Sequence, residues 1–477
     1  MKKLARILLI IILFQQCAVP PYTQKSENRQ TPDKFSVSAS TANNDTTNSA
    51  ILPWKNFFND TNLIQLIDIA LQNNRELQIV TQEINIARNN VRLKKAQYLP
   101  YIGLVAGAGL DKPARYTFNG AVEENVLFTE DKKFPDPFSD LLLGARFSWE
   151  IDIWKKLRNS KKAAMYKYLS TTEGKNFMTS RLVAEVATLY YELLALDNLL
   201  EITQNNITIL KDALEIVKQE KQYAKTTELA VKRFEAEVLK NQSKVYYIQQ
   251  EITQTENQLN FLLGRFPQPI QRNSKKFIDT EPPVVQTGVP SQLLRNRPDI
   301  RMAEMELMAT WLEVKSAKAE LYPSLGINGI AGFQGFSPEY LFKTPSSIIW
   351  GIVGEFIQPL VNRNALKANY FSAIAQQNKA AYEFEQKVLN AYAETSNQMA
   401  YMENLRQALN LKKQQVETLN QSIDVSVNLF KNARADYMEV LLTQRDALEA
   451  KYELVETKKQ QMINTINLYR SLGGGWK

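Results

Sequence analysis

The sequence predicts a mainly α protein with a small β part, written as two structural repeats of long helical hairpins. Three observations carry that prediction. Heptad spacing runs through very long segments, four short stretches rich in Gly, aromatic and β-branched residues separate them, and one passage occurs twice. "AQYLPYIGLVAGAG" at 96–109 returns as "AELYPSLGINGIAG" at 319–332, with Ala, Pro, Gly, Ala and Gly in the same five places.

At the start, Lys2, Lys3 and Arg6 precede the apolar run "ILLIIILF" at 7–14, a pattern that reads as a secretory signal too short to span a bilayer. Cys17 follows it. A cysteine at the end of such a segment suggests a lipoprotein, with residues 1–16 removed and Cys17 acylated. A plain signal peptide with an incidental cysteine is the alternative, because Gln15 and Gln16 are large and polar where small residues are usual. Residues 17–51 are rich in Ser, Thr and Asn without periodic apolar positions, and read as a tether.

The repeat then sets the boundaries, with a first half at 52–275 and a second at 276–477. At the offset that relates the two passages, Leu71 answers Leu294, Asn73 answers Asn296 and Glu83 answers Glu306. Further along, "FLLG" near 261 answers "SLGG" near 471 at a smaller offset. The first half therefore carries the longer loop, around 112–138.

Helices come from the heptads. Leu182, Val186, Leu189, Leu193, Leu196, Leu200, Thr203, Ile207, Leu210, Leu214 and Val217 alternate spacings of four and three, the period of a left-handed supercoil. Val231 to Leu262 and Leu441 to Tyr469 repeat it. No Gly or Pro interrupts 175–263, and a fold-back near Ala224 to Thr227 is expected, with Thr226 or Thr227 as N-cap and Glu228 in the first turn.

Strands are expected at 98–111, 139–153, 321–336 and 346–360, with alternation such as Leu143, Ala145, Phe147, Trp149 and Ile151. Each is long enough to cross a bilayer at a tilt, or to build a small soluble sheet. Beyond the signal no run of 18 apolar residues exists, so a membrane-spanning part would have to be a closed barrel. Four strands cannot close one, so several copies would pool theirs. Trp149, Trp154, Trp350 and Tyr322 flank the strands, at a membrane interface or packed at the strand-to-helix junction.

Composition excludes other classes. The chain of 477 residues has no His and one Cys, which removes imidazole catalysis, the usual zinc ligands and any internal disulfide. Its net charge of +8 is mild and interspersed, so nucleic acid is not an expected partner.

The carriers of a family resemblance are "LLRNRPDIRMAEMELM" at 293–308, "AELYPSLGINGIAGF" at 319–333, "FSWEIDIWKKLR" at 147–158, "LYRSLGGGW" at 468–476 and "CAVPPY" at 17–22. On these the chain resembles TolC-type outer-membrane efflux proteins of the NodT-like lipoprotein branch, which serves resistance-nodulation-division pumps. The resemblance implies a homotrimer whose protomers give four strands each to a 12-stranded transmembrane barrel, set on a periplasmic helical tunnel. It implies a periplasmic adaptor and an inner-membrane transporter as partners, outer-membrane lipid around the barrel, no cofactor and no enzymatic chemistry.

It also implies a gate. In the family the tunnel narrows at the periplasmic helix tips, and the matching stretch is "FKNARADYMEVLLTQR" at 430–445. This places Arg434, Asp436 and Glu439 near the constriction, where three copies of each carboxylate would ring the axis. Relatives often have Asp where this chain has Leu442, so part of the constriction is expected to be apolar. The plainer reading is that Asp436 and Glu439 are solvated residues favoured at a helix start. The function so implied is a passive exit duct of a tripartite efflux pump. A type I protein-secretion duct and a periplasmic coiled-coil scaffold are the alternatives.

Overall fold

A computed structural model describes residues 20–22, 25–35, 47–129, 131–358, 363–432 and 434–477. The expected signal peptide and Cys17 lie outside the described residues. Seven long helices and four long strands organise those residues. They are α1 (Thr61–Asn73), α2 (Arg75–Tyr98), β1 (Tyr101–Asp111), β2 (Phe138–Ile151), α3 (Lys156–Gln222), α4 (Glu228–Leu262), α5 (Pro298–Glu320), β3 (Ser324–Gly335), β4 (Ile348–Ile357), α6 (Arg363–Lys431) and α7 (Tyr437–Ser471).

All four expected strands form, within a few residues of their predicted ends. The helix expected from 175 starts earlier, at Lys156, and runs through Gly174, where a Cβ would be in ordinary contact with Met302 Sδ at 3.5 Å. No helix among the described residues is long and apolar enough to cross a membrane.

Two compact units divide the chain, each drawing on both halves of the sequence. The first comprises 1–26, 85–169 and 305–382, and holds the sheet. Strand order is β1-β2-β3-β4, antiparallel throughout. The register puts Leu104, Ala145, Ala331 and Trp350 in one row, and Ile102, Phe147, Gly329 and Ile352 in another on the same face. Because side chains alternate, this face carries no charged residue. The other holds Asp140, Arg146, Ser148, Glu150, Asn328, Gln334 and Glu355. Among the described residues the apolar face meets no protein layer: Leu104 is 93% and Trp350 78% exposed. Two junction tryptophans are tied to backbone, Trp149 Nε1 donating to the Tyr98 carbonyl (3.2 Å) and Trp154 Nε1 to that of Pro323 (2.8 Å), with Trp154 stacked on Tyr322.

The loop 112–137 is built rather than open, with a short helix at 118–125 and a small hairpin, pinned by Phe128, Phe134, Phe138, Phe336 and Tyr340. The 17–51 stretch, read as a tether, is in part packed. In the first unit Tyr22 hydrogen-bonds Gln377.

The second unit, 27–84, 170–304 and 383–477, holds the coiled coils. Here Phe35 is buried against Tyr392, and Asn48 and Ser49 bond Gln292 and Gln286. The heptad seam is its core: Val186, Leu193 and Thr203 are fully buried, with Leu210 and Val217 nearly so. Asn241 and Gln444 are buried polar residues in the same seam. Thr203 Oγ1 meets the Tyr452 hydroxyl at 2.6 Å, and Asn206 Nδ2 donates to Asn241 Oδ1 at 3.4 Å. Such layers set the register of packed helices.

Two closures end the hairpins. Gly264 has φ +66°, and a Cβ there would lie 2.4 Å from the Asn73 carbonyl oxygen. Gly473 has φ +97°, and a Cβ there would lie 2.5 Å from the Asn296 carbonyl. Only glycine fits both the left-handed backbone and the contact. The "GGGW" ending is therefore a packed joint.

Candidate functional site at the hairpin tips

Helices α4 and α7 each have 35 residues, and a single offset carries both ends of one onto the other, Glu228 onto Tyr437 and Leu262 onto Ser471. The turns before them match too. Lys225 N donates to the Glu220 carbonyl at 2.9 Å, and at the equivalent positions Arg434 N donates to the Leu429 carbonyl at 2.9 Å. One backbone turn thus serves both tips, and the differences lie in side chains.

At the α3/α4 tip Thr227 caps its helix, accepting from Ala230 N, and Glu228 pairs with Lys221 and, at 3.9 Å, with Lys232. The Lys221 hydrogen bond holds the Glu228 carboxyl below the usual carboxylate range. This tip satisfies its own charges.

At the α6/α7 tip Asp436 is the N-cap residue, yet its side chain makes no cap hydrogen bond. Both carboxylates are exposed at the start of α7, Asp436 at its N-cap and Glu439 in its first turn, which is also what the plainer reading of solvated residues at a helix start expects. Arg434, Asp436 and Glu439 are exposed, and among the described residues their side chains make no hydrogen bond or ion pair. Glu439 and Leu442 share a groove between α6 and α7 with Val425 and Leu429. Arg434 and Asp436 lie outside that groove. Leu442 is 40% and Val425 58% exposed, so an apolar strip runs beside the carboxylate.

What anchors α7 is its other face. Tyr437 and Leu441 pack on the cluster of Leu210, Leu214, Val217, Val231 and Phe234. Further up, Lys244 Nζ lies 3.6 Å from the centre of the Tyr452 ring, in a polar cleft with Asn206, Asn241 and Gln444. Neither Lys244 nor Tyr452 stands out in the sequence, because each occupies a position that heptad reading assigns to packing or solvent. No group of acidic or cysteine side chains suited to hold a metal occurs among the described residues.

A second cluster joins the start of α5, the end of α7 and Glu394 of α6. Arg297 Nη1 donates to the Ser471 carbonyl and to Glu394, both at 2.8 Å, and its Nε and Nη2 grip Asp299 at 3.0 and 2.8 Å. Arg470 also reaches Glu394, at 3.0 Å. "NRPDI" and "LYRSLGGGW" are thus neighbours in space, and their polar residues serve structure.

Comparison with known proteins gives one family and consistent relatives. The model described as "Outer membrane efflux protein" matches residues 66–265 and 289–474. The solvent efflux pump outer membrane protein SrpC of Pseudomonas putida is 25% identical over 430 residues, 90% of this chain and 88% of that protein. The probable outer membrane lipoprotein SilC of Salmonella typhimurium is 25% identical over 476 residues, 99% of each. Among solved structures, the open state of the Neisseria gonorrhoeae MtrE outer membrane channel superposes with a TM-score of 0.82 at 22% identity, covering 96% of this chain and 98% of that one.

Proposed function

Because the chain belongs to the outer membrane efflux proteins, a family defined by export across that membrane, we propose that it is the passive exit duct of a tripartite pump. Three copies would pool their strands into a 12-stranded barrel, with a periplasmic adaptor and an inner-membrane transporter as partners. Residues 1–16 would be removed as a signal peptide and Cys17 acylated, leaving repeats at 52–275 and 276–477. SilC, described as a lipoprotein, supports the acylation.

One observation carries the reading. The sheet has an uncharged, exposed face and, among the described residues, two unpaired edges, β1 and β4. Water would penalise both features, whereas hydrocarbon on the face and neighbouring copies at the edges would satisfy them.

The gate belongs to the α6/α7 tip. Asp436 and Glu439 have no partner within the described residues of the protomer, so symmetry copies would bring like charges together around Arg434, with Leu442 as the apolar side of the constriction. Single-channel conductance in a planar bilayer tests both parts, comparing wild type with Asp436→Ala/Glu439→Ala. A small wild-type conductance that rises severalfold in the variant is expected. Unchanged conductance would move the gate to Leu442 and its neighbours, and no conductance from folded protein would refute the duct.

A further inference from the structure

Positive charge is unevenly placed along this chain. Four segments adjoin the same end of the sheet, namely 88–98, 155–168, 311–320 and 363–370. They hold fourteen Lys and Arg against two acids, Glu313 and Glu320, a net +12 in a chain of net +8, so the remainder is −4.

Some of these cations are neutralised locally. Lys156 pairs with Glu150, Arg158 with Asp152 at 3.1 Å and Lys167 with Glu313 at 2.6 Å. Lys155, Lys162 and Lys315 are exposed and have no ion pair among the described residues. They lie near one another: Ser316 Oγ, next to Lys315, donates to the carbonyl of Lys156, next to Lys155, at 3.0 Å, and the Lys315 ammonium is pushed below its ordinary value by desolvation and then by the charges of Lys162 and Lys155. Lys315 Nζ also sits 3.3 Å from the centre of the Trp311 ring. Similar stacking recurs around this end of the sheet, with Arg88 over Tyr168 at 5.9 Å and Arg158 over Tyr98 at 5.8 Å.

Two chemistries therefore abut. The uncharged face of the sheet ends at Trp149, Ile151, Leu325 and Phe356; Lys155 follows shortly after Ile151, and Lys162 and Lys315, the latter over the Trp311 ring, lie farther along the adjoining helices. A ligand with acyl chains and a phosphate matches both, and a free anion matches only the second. We propose that Lys155, Lys162 and Lys315 form a headgroup site for anionic phospholipid in the leaflet bordering this end of the sheet. The site rests on the reading that the sheet lies in the membrane. Flanking basic side chains near a membrane surface are each worth about 1 kcal/mol toward anionic lipid, so three give on the order of a hundredfold preference.

Native mass spectrometry of the purified assembly in neutral detergent tests this, with phosphatidylglycerol or phosphatidylcholine titrated in. Wild type should retain phosphatidylglycerol at least tenfold more tightly than phosphatidylcholine. Lys155→Gln/Lys162→Gln/Lys315→Gln should lose that preference while keeping its oligomeric mass. Lys218→Gln/Lys232→Gln/Lys240→Gln, with the same charge change on α3 and α4, should keep it. Equal retention of the two lipids by wild type, or unchanged preference in the first variant, would overturn the site. So would full displacement of the lipid by millimolar inorganic phosphate. A wild-type protein with no heat-modifiable, barrel-like migration would instead refute the membrane reading beneath it.

Discussion

Asn74 and Arg297 occupy equivalent positions in the two halves, at the offset of the twice-written passage, and do the same job with different chemistry. Asn74 Nδ2 donates to the Leu262 carbonyl at 3.0 Å, and Arg297 Nη1 to the Ser471 carbonyl at 2.8 Å. Each carbonyl lies in the last turn of its hairpin, followed two residues later by the glycine of the closure. A neutral amide needs nothing more. The guanidinium brings a charge into a buried place, and Asp299 and Glu394 are there to neutralise it. Glu394 has no equivalent in the first half: aligning the starts of α3 and α6 puts fully buried Ala187 in its place. A repeated backbone thus fixes where a bond must be made and leaves open which group makes it.

The largest test of that contrast removes the two donors. Arg297→Ala leaves buried Asp299 without its cation, Glu394 with Arg470 alone and the Ser471 carbonyl with only Thr395 Oγ1 at 3.3 Å, and should destabilise by about 3–5 kcal/mol. Asn74→Ala leaves the Leu262 carbonyl and the Leu77 N–H without their side-chain partner and should cost about 1–3 kcal/mol. Thermal unfolding followed by circular dichroism would rank them, and equal losses would mean that the charge is irrelevant. Next come the glycines. Gly264→Ala and Gly473→Ala meet the same obstacle, a left-handed backbone costing about 1–2 kcal/mol plus contact with a carbonyl. Similar losses in both are expected, and a harmless substitution at either would break the equivalence.

A smaller difference concerns Lys458, buried on α7, whose counterpart on α4 is exposed Gln249. Its Nζ donates to Gln461 Oε1 at 3.1 Å, and burial pushes its ammonium down to about 8, with Lys413 adding and Asp279 and Glu281 opposing. The unfolded chain holds this proton up to about pH 10.4, so stability should rise as pH climbs from about 8 to 10.4. Lys458→Met should raise the melting temperature at pH 7 and flatten that rise. Gln249→Met should do neither. Smallest is the pair of caps: Thr227→Ala should cost about 1 kcal/mol, and Asp436→Ala less than about 0.5, because only Thr227 makes a cap bond. A full capping penalty at Asp436 would return it to a structural role.

The hairpins, the strands and the repeat were legible because each rests on a period or a local break. Leu182 to Val217 repeat every 3.5 residues, and Pro100 and Pro323 interrupt helices where strands begin. The early start of α3 was less so, since Gly174 bounds the stretch free of Gly and Pro, yet a single glycine weakens a helix without ending it. For the tip, sequence offered Arg434, Asp436, Glu439 and Leu442 as one group, and the structure joins only Glu439 and Leu442 in a groove. That Asp436 leaves its cap unmade depends on a side-chain rotamer, which no spacing encodes. The Arg297 cluster joins residues up to 174 positions apart, beyond the reach of local pattern.

The polar seam has a mechanical consequence. Thr203 of α3 meets Tyr452 of α7, and Asn206 of α3 meets Asn241 of α4, at one axial setting only, so neither α7 nor α4 can slide along α3 without breaking one of these bonds. What remains is swing. Gln444, buried in the same layer, stands eight residues from Asp436, a lever arm of about 12 Å. Over so short an arm a given angle displaces the carboxylate only a little, and a wider aperture demands that the pivot itself unpack.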